Sequence, residues 1–293
     1  MPSLEEHQSA HTTKLLLVGN NGSGKTGALA SLADAGYNLF VVDLDNGVDI
    51  LANLLRSKAY SPAAIKRVDV QTLTDKMKGM KSGMIQPTAP KVWKKMVDLL
   101  DNWPGKGNLS TWTPQDVLVI DSLTFAAKAA LQQILFMNNR LGQKPWIQDI
   151  GAAQDLLESL FQMLYDVSIP CNVIVNCHIA LVDDEEGTSR GYPASVGNKL
   201  GPKIGGYFNT ILRAKAKGKQ RLIYTQDGGL IELKTSAPGA VAPTYPIETG
   251  LASYFKAVRN PNAVYTAPVV EPEEVPAPNP EGTVNPSGDK EAS

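Results

Sequence analysis

The stretch Gly19-Asn20-Asn21-Gly22-Ser23-Gly24-Lys25-Thr26 decides how this chain is read, because it stands between an apolar run, Leu15 to Val18, and a helix-forming run that begins at Gly27 and ends at Ala35. The pattern G-x-x-x-x-G-K-[ST] suits a phosphate-binding loop. Glycines let successive backbone N–H groups turn inward around phosphate oxygens in conformations a side chain would forbid. In this reading the segment from Gly19 to Gly27 holds the phosphates of a nucleotide. Lys25 reaches the β- and γ-phosphates, Thr26 places its hydroxyl on Mg²⁺, and the positive end of the following helix faces the anion. The bland alternative is a glycine-rich turn without a ligand, and the strand-before, helix-after context argues against it.

Downstream, a second apolar run, Asn38 to Val42, ends in Asp43-Leu44-Asp45-Asn46-Gly47. A buried parallel strand with carboxylates at its C-terminal end sits where open α/β sheets bind ligands. Asp49 to Arg56 reads as a short helix, Ile65 to Thr72 as a strand, Asp75 to Pro90 as loop, and Lys91 to Trp103 as an amphipathic helix. The run Val117-Leu118-Val119-Ile120-Asp121 is four apolar residues followed by an acid. That is the Walker B pattern, whose carboxylate holds a Mg²⁺-bound water beside the loop's Thr26. Helices are expected over Leu123 to Asn138 and Asp149 to Val167, with a strand from Cys171 to His178. Strand, helix and strand alternate this far, which implies a mostly parallel sheet with helices on both faces. From Val182 to Gly206 no apolar periodicity is visible, and the segment reads as a long functional loop. Tyr207 to Ala216, Gln220 to Gln226 and Leu230 to Lys234 then read as antiparallel strands.

Composition narrows the class. The chain has 293 residues, is 43% hydrophobic and contains no run of eighteen apolar residues, so a globular protein without a membrane span is expected. The N-terminal thirteen residues hold no Lys or Arg, so no signal peptide is read there and a cytosolic setting is the default. Cys171 and Cys177 lie six apart on one strand face, a span of about 20 Å that excludes a disulfide and suits two core thiols. The segment 266–293 carries a net −5, leaving +4 on the rest of a chain whose total is −1. It has six prolines and no aromatic residue, and reads as disordered. It is either a solvating tail or an acidic segment that competes with DNA or recruits a partner. The expected organisation is a flexible N-terminus over 1–13, an ATPase core over 14–258, and an acidic, proline-rich tail over 259–293.

Taken together, Gly19 to Thr26, Asp43 to Gly47, Val117 to Leu123 and Asn176-Cys177-His178 make the chain similar to RecA-type ATPases. Within these it resembles the small phage recombinases that keep only the ATPase core and assist single-strand annealing. The resemblance covers roughly residues 12–258. It implies an α/β RecA-like P-loop fold, ATP hydrolysis with Mg²⁺, single-stranded DNA as partner, and assembly as a ring or helical filament. A single-strand-binding protein is a further partner, and the setting is a bacterial host cytoplasm if the chain is phage-encoded. It implies that Asp45, one methylene shorter than the family's usual glutamate, orients the attacking water. It also implies that His178 is a γ-phosphate sensor, against the alternative of a strand-end histidine. The family's two DNA-binding loops match Asn139 to Ile150 and Val182 to Gly206. These offer Arg140, Lys144, Trp146, Arg190, Lys199 and Lys203 to DNA, opposed by the acids Asp183 to Glu186. Lys215, Lys217, Lys219 and Arg221 resemble the basic set donated to a neighbour's site, or else form a solvated hairpin. An alternative function is a nucleotide-dependent assembly module with little turnover.

Overall fold

The structure, a computed structural model, describes residues 11–266 apart from 84, 184–186, 188, 227–228 and 261. The N-terminal ten residues, the tail from 267 and the acids Asp184 to Glu186 lie outside the described residues. The loop-bearing strand β1 (Lys14–Val18) is buried throughout, as an unbroken Leu-Leu-Leu-Val run requires of a central parallel strand. It pairs in parallel with β7 (Asn172–Cys177) on one side and β10 (Thr210–Lys217) on the other. Beyond β7 come β6 (Asp116–Asp121), β2 (Asn38–Asp43) and β3 (Val68–Thr72), all parallel. Beyond β10 come β11 (Gln220–Tyr224) and β12 (Thr244–Pro246), both antiparallel. Among the described residues this makes one eight-stranded sheet, ordered β12-β11-β10-β1-β7-β6-β2-β3.

Strand periodicity splits the core into two layers. Leu16, Val18, Leu118, Ile120, Val173, Val175 and Cys177 face α3 (Val92–Asp101), α4 (Leu123–Met137) and α5 (Ile147–Tyr165). Leu15, Leu17, Val117, Val119, Ile174 and Leu212 face α1 (Lys25–Asp34), α2 (Asp49–Arg56) and α7 (Gly250–Val258). Cys171 and Cys177 are free thiols buried in the first layer. No helix among the described residues is long and apolar enough to cross a membrane. Arg259, one residue past α7, packs against the body: its guanidinium lies 4.8 Å from the Phe255 ring and 5.2 Å from that of Tyr37.

Four expectations change. Strand β10 runs parallel to β1, although it pairs antiparallel with β11. More than thirty residues separate it from β7, ample for the crossover that a parallel return requires. Leu230 to Lys234 forms no strand; it contributes one bridge, Lys234 to Ile211, while Ile231 is buried against the first core layer. The edge position belongs to β12. The segment read as loop from Asp75 holds a short hairpin, β4 (Met77–Gly79) with β5 (Ile85–Pro87). The long loop after His178 begins as a hairpin, β8 (Ile179–Asp183) with β9 (Ser189–Pro193), followed by one helical turn, α6 (Gly201–Ile204). Val182 pairs with Arg190 on one face, and on the other Leu181 pairs with Gly191 beside Asp183 with Ser189, so polar and apolar mix on both faces and no alternation announces it.

Candidate nucleotide site

The carboxylates expected at the nucleotide lie at the C-terminal edge of the parallel strands. Asp43 ends β2 and Asp121 ends β6 directly beside it. Asn176 pairs with Asp121 from β7, which lies between β6 and β1. The loop leaves β1 at Gly19 and closes into α1 through Gly24, whose φ of 98° lies in the left-handed region that glycine tolerates. A Cβ there would lie 2.7 Å from Ile247 Cδ1 and 2.9 Å from Arg221 Cδ, so the loop is closely roofed on that side.

Lys25 folds back over the loop, its Nζ donating to the carbonyls of Gly19 at 2.8 Å and Asn20 at 3.2 Å. Burial holds its pKa below the usual lysine range, against the opposing pull of Asp121, Cys177 and Asp45. Thr26 Oγ1 donates to Asp121 Oδ2 at 2.7 Å. The two residues expected to share Mg²⁺ therefore touch. Burial pushes the Asp121 carboxyl up, which the bond from Thr26, the proximity of the Asn176 side chain and the charge of Lys25 oppose. Its Oδ1, both amide atoms of Asn176, and the hydroxyls of Ser23 and Ser122 are buried without a hydrogen-bond partner. Buried polar atoms rarely stay unpaired, and Asn176 lies opposite Asp121 on the neighbouring strand while Ser122 follows it in the chain. A divalent cation held by Thr26 and Asp121, with phosphate oxygens and waters completing its shell, fits such a donor set.

Asp43 and Asp45 differ in kind. Asp43 is buried, accepting from Gly47 N–H at 3.2 Å and Thr72 Oγ1 at 2.8 Å. Asp45 is half-buried, accepts from Gly47 N–H at 3.1 Å, and lines the cavity over the loop. Burial, then the charges of Asp121 and Asp43, raise its pKa to about 6. His178 lines the same cavity, and burial followed by the nearby Lys25 charge lowers its pKa. Its backbone joins three elements: its N–H donates to Thr124 Oγ1 at 3.2 Å, and its carbonyl accepts from Ala194 N–H at 2.8 Å, just beyond β9.

The cavity measures about 410 Å³ and is bounded on its far side by Ile50, Leu54, Tyr60, Ile247 and Glu248. Tyr60 Oη donates to the Glu248 carbonyl at 3.1 Å, tying the α2 side to the β12–α7 connection. None of these five wall residues carries a motif; an apolar side chain beside a cavity looks in sequence like one in the core. Arg221 also lines the cavity and its Nε donates to the Gly22 carbonyl at 3.0 Å, within the same chain. Lys215 and Lys217 are not among the cavity's lining residues, and Lys215 lies 5.9 Å from the Tyr224 ring.

The expected DNA-facing residues separate into two groups. Arg140 is buried, ion-paired with Asp149, bonded to the Lys144 carbonyl at 2.9 Å, and stacked 3.3 Å from the centre of the Trp146 ring. It organises the start of α5, where Trp146 N–H donates to Asp149 at 2.7 Å, and leaves no charge for a phosphate. Lys144, Trp146, Arg190, Lys199 and Lys203 are exposed.

A phosphate loop at a parallel-sheet edge, with an acid from a neighbouring strand meeting the loop threonine, defines a P-loop domain of ATPase type. A family profile described as an AAA domain matches residues 11–236, and the chain belongs to that family. No curated protein matches it. Two similar solved structures are both type III secretion ATPases, each 13% identical and matching 69% of this chain. One, described as prototypical and from pathogenic bacteria, has a TM-score of 0.39 with 51% of its own chain covered. The other is EscN from enteropathogenic E. coli, solved with its central stalk EscO, with a TM-score of 0.40 and 42% covered. The chain thus spans about half the length of these structures or less.

Proposed function

We propose that the protein binds Mg·ATP and hydrolyses it, and that it does so on single-stranded DNA as an assembling recombinase or annealing factor. The observation that carries the nucleotide part is the 2.7 Å contact of Thr26 with Asp121 over a loop whose lysine is poised on the Gly19 and Asn20 carbonyls. Bound phosphates would draw Lys25 off those carbonyls and into charge-assisted bonds. Mg²⁺ supplies charge neutralisation at the β- and γ-phosphates when held by Thr26 and Asp121. Asp45 accepts a proton from the attacking water, and His178, neutral at pH 7, donates a hydrogen bond toward the terminal phosphate and relays its presence to the β8–β9 hairpin through Ala194. The exposed cations Lys144, Arg190, Lys199 and Lys203 support a DNA surface on that side.

The test is phosphate release with and without single-stranded DNA. Hydrolysis should rise on adding DNA and fall to background in Lys25→Ala; a rate indifferent to DNA counts heavily against the recombinase reading. One observation favours a second reading. Asp45 is one methylene shorter than a glutamate would be at the same place, which cuts its reach to an attacking water, and its side chain is engaged by Gly47 N–H at 3.1 Å. Under that reading ATP changes sedimentation while phosphate release stays near background.

A further inference from the structure

We propose that Arg221 is a ligand of the nucleotide in its own chain's loop, a second cation bracketing the phosphates opposite Lys25. The inference rests on the nucleotide reading above and deepens it. Its basis is the way β11 and the loop are locked together. Arg221 sits opposite Ala216 of β10, and its carbonyl accepts from Ile247 N–H at 3.0 Å, so its backbone is held from both neighbouring strands. The side chain then crosses the end of β10 to reach the loop tip, where Nε donates to the Gly22 carbonyl at 3.0 Å. The stem passes close to Gly24, where any larger residue would meet Cδ at 2.9 Å.

A guanidinium has five N–H donors in a fixed fork. One is used on Gly22, and the four on Nη1 and Nη2 have no protein partner among the described residues. Glu248 lines the same cavity but forms no ion pair with it. An arginine anchored by Nε, beside loop amides and a helix N-terminus, therefore presents its planar edge to an anion without reorganising. Lys25 approaches the loop from the Gly19–Asn20 side and Arg221 from the Gly22–Gly24 side. The fork explains the residue type: a lysine is a point charge and cannot hold the Gly22 carbonyl and a phosphate in one fixed geometry. Basic residues on such a hairpin need a neighbouring copy only if they cannot reach their own site, and Arg221 does reach it.

The experiment is equilibrium binding of Mg·ADP and of tripolyphosphate to the full chain, at concentrations where sedimentation shows a monomer. Parent, Arg221→Ala, Arg221→Lys and Lys25→Ala are compared. Arg221→Ala should weaken both ligands roughly tenfold or more, as loss of a charge-assisted hydrogen-bond pair does. Arg221→Lys should recover only part of that. Tripolyphosphate isolates the phosphate contact from any effect on the base. Unchanged binding in monomeric Arg221→Ala, with binding lost in Lys25→Ala, overturns the inference and leaves the nucleotide reading standing; a parent that binds neither ligand overturns both. Because Arg221 is exposed, melting without nucleotide should match the parent. Should Arg221→Ala melt early, Arg221→Gln decides by the same binding criterion.

Discussion

Asp43 and Asp45 stand two residues apart at the end of one strand, yet the fold gives them opposite work. Asp43 is closed in by Thr72 and Gly47, whereas Asp45 turns into the cavity beside two other carboxylates. A carboxyl raised from 3.8 to about 6 binds its proton more readily folded than unfolded. It therefore lowers stability as pH climbs through that window, and its ionised form is strained at pH 7. The Asp45→Asn variant should accordingly be more stable at pH 7, by about 1 kcal/mol once screening of a half-exposed group is allowed for. It should also lose most of its ATP turnover. Urea unfolding and phosphate release on the same preparation check both, and a variant that is neither stabilised nor impaired would mean Asp45 is a bystander. In the parent, kcat/KM should fall as pH drops through about 6, because the base must be ionised. At this scale the phosphate loop, Asp121 and the acid-rich strand end were legible from residue type and spacing. Arg221 was seen only as one cation among four, since nothing in Lys-Gly-Lys-Gln-Arg says which side chain crosses to Gly22. Arg140 was misjudged for a related reason: a basic residue near a tryptophan suits DNA, and equally suits a stacked ion pair sealing a helix start.

Elements were readable where burial on both faces left an unbroken apolar run, as in β1, β6 and β7, and unreadable where pairing was set by distant chain. Strand β10 carries the same alternation whether it runs parallel or antiparallel to its neighbours, so its direction against β1 depends on the crossover and not on its own residues. The β8–β9 hairpin is defined by backbone pairing and by the Ser189 hydroxyl donating to Asp183, neither of which an apolar pattern announces. The region just past α7 shows how far a folded element can hide in polar sequence. Arg259 stacks on Phe255 and Tyr37, bonds the Tyr37 hydroxyl, and donates to Asn172 Oδ1 at 2.6 Å. Asn172 in turn accepts from Thr13 N–H at 2.9 Å and donates to Pro114 O at 2.6 Å, so the contact staples α7 to the base of the central sheet. Arg259→Ala should cost roughly 1–3 kcal/mol through lost stacking and hydrogen bonds. Its melting temperature should drop while affinity for nucleotide is preserved, since the staple lies at the strands' opposite end from the loop. A variant that melts with the parent would place the fold's edge before residue 259.

At the scale of the whole molecule, the site joins parts that otherwise meet only through the sheet. Thr26 belongs to α1 in one core layer, Asp121 leads into α4 in the other, and Ile247 and Glu248 come from beyond the family-matched residues. A ligand touching all three binds the folded chain and not the unfolded one, so it must raise stability by RT ln(1 + [L]/Kd). At a hundredfold excess over Kd that is about 2.7 kcal/mol, a rise of roughly 5–10 °C for a chain of this size. The metal's share can be separated, because ADP without Mg²⁺ still meets the loop amides and Lys25. The parent should show one shift with ADP and EDTA and a larger one with Mg·ADP. In Asp121→Asn the increment from Mg²⁺ should vanish while the metal-free shift persists, since an amide keeps the Thr26 contact but brings no charge to the cation. An undiminished Mg²⁺ increment in that variant would assign the metal to other oxygens, with the half-buried Asp45 of the cavity wall as a carboxylate able to take the role.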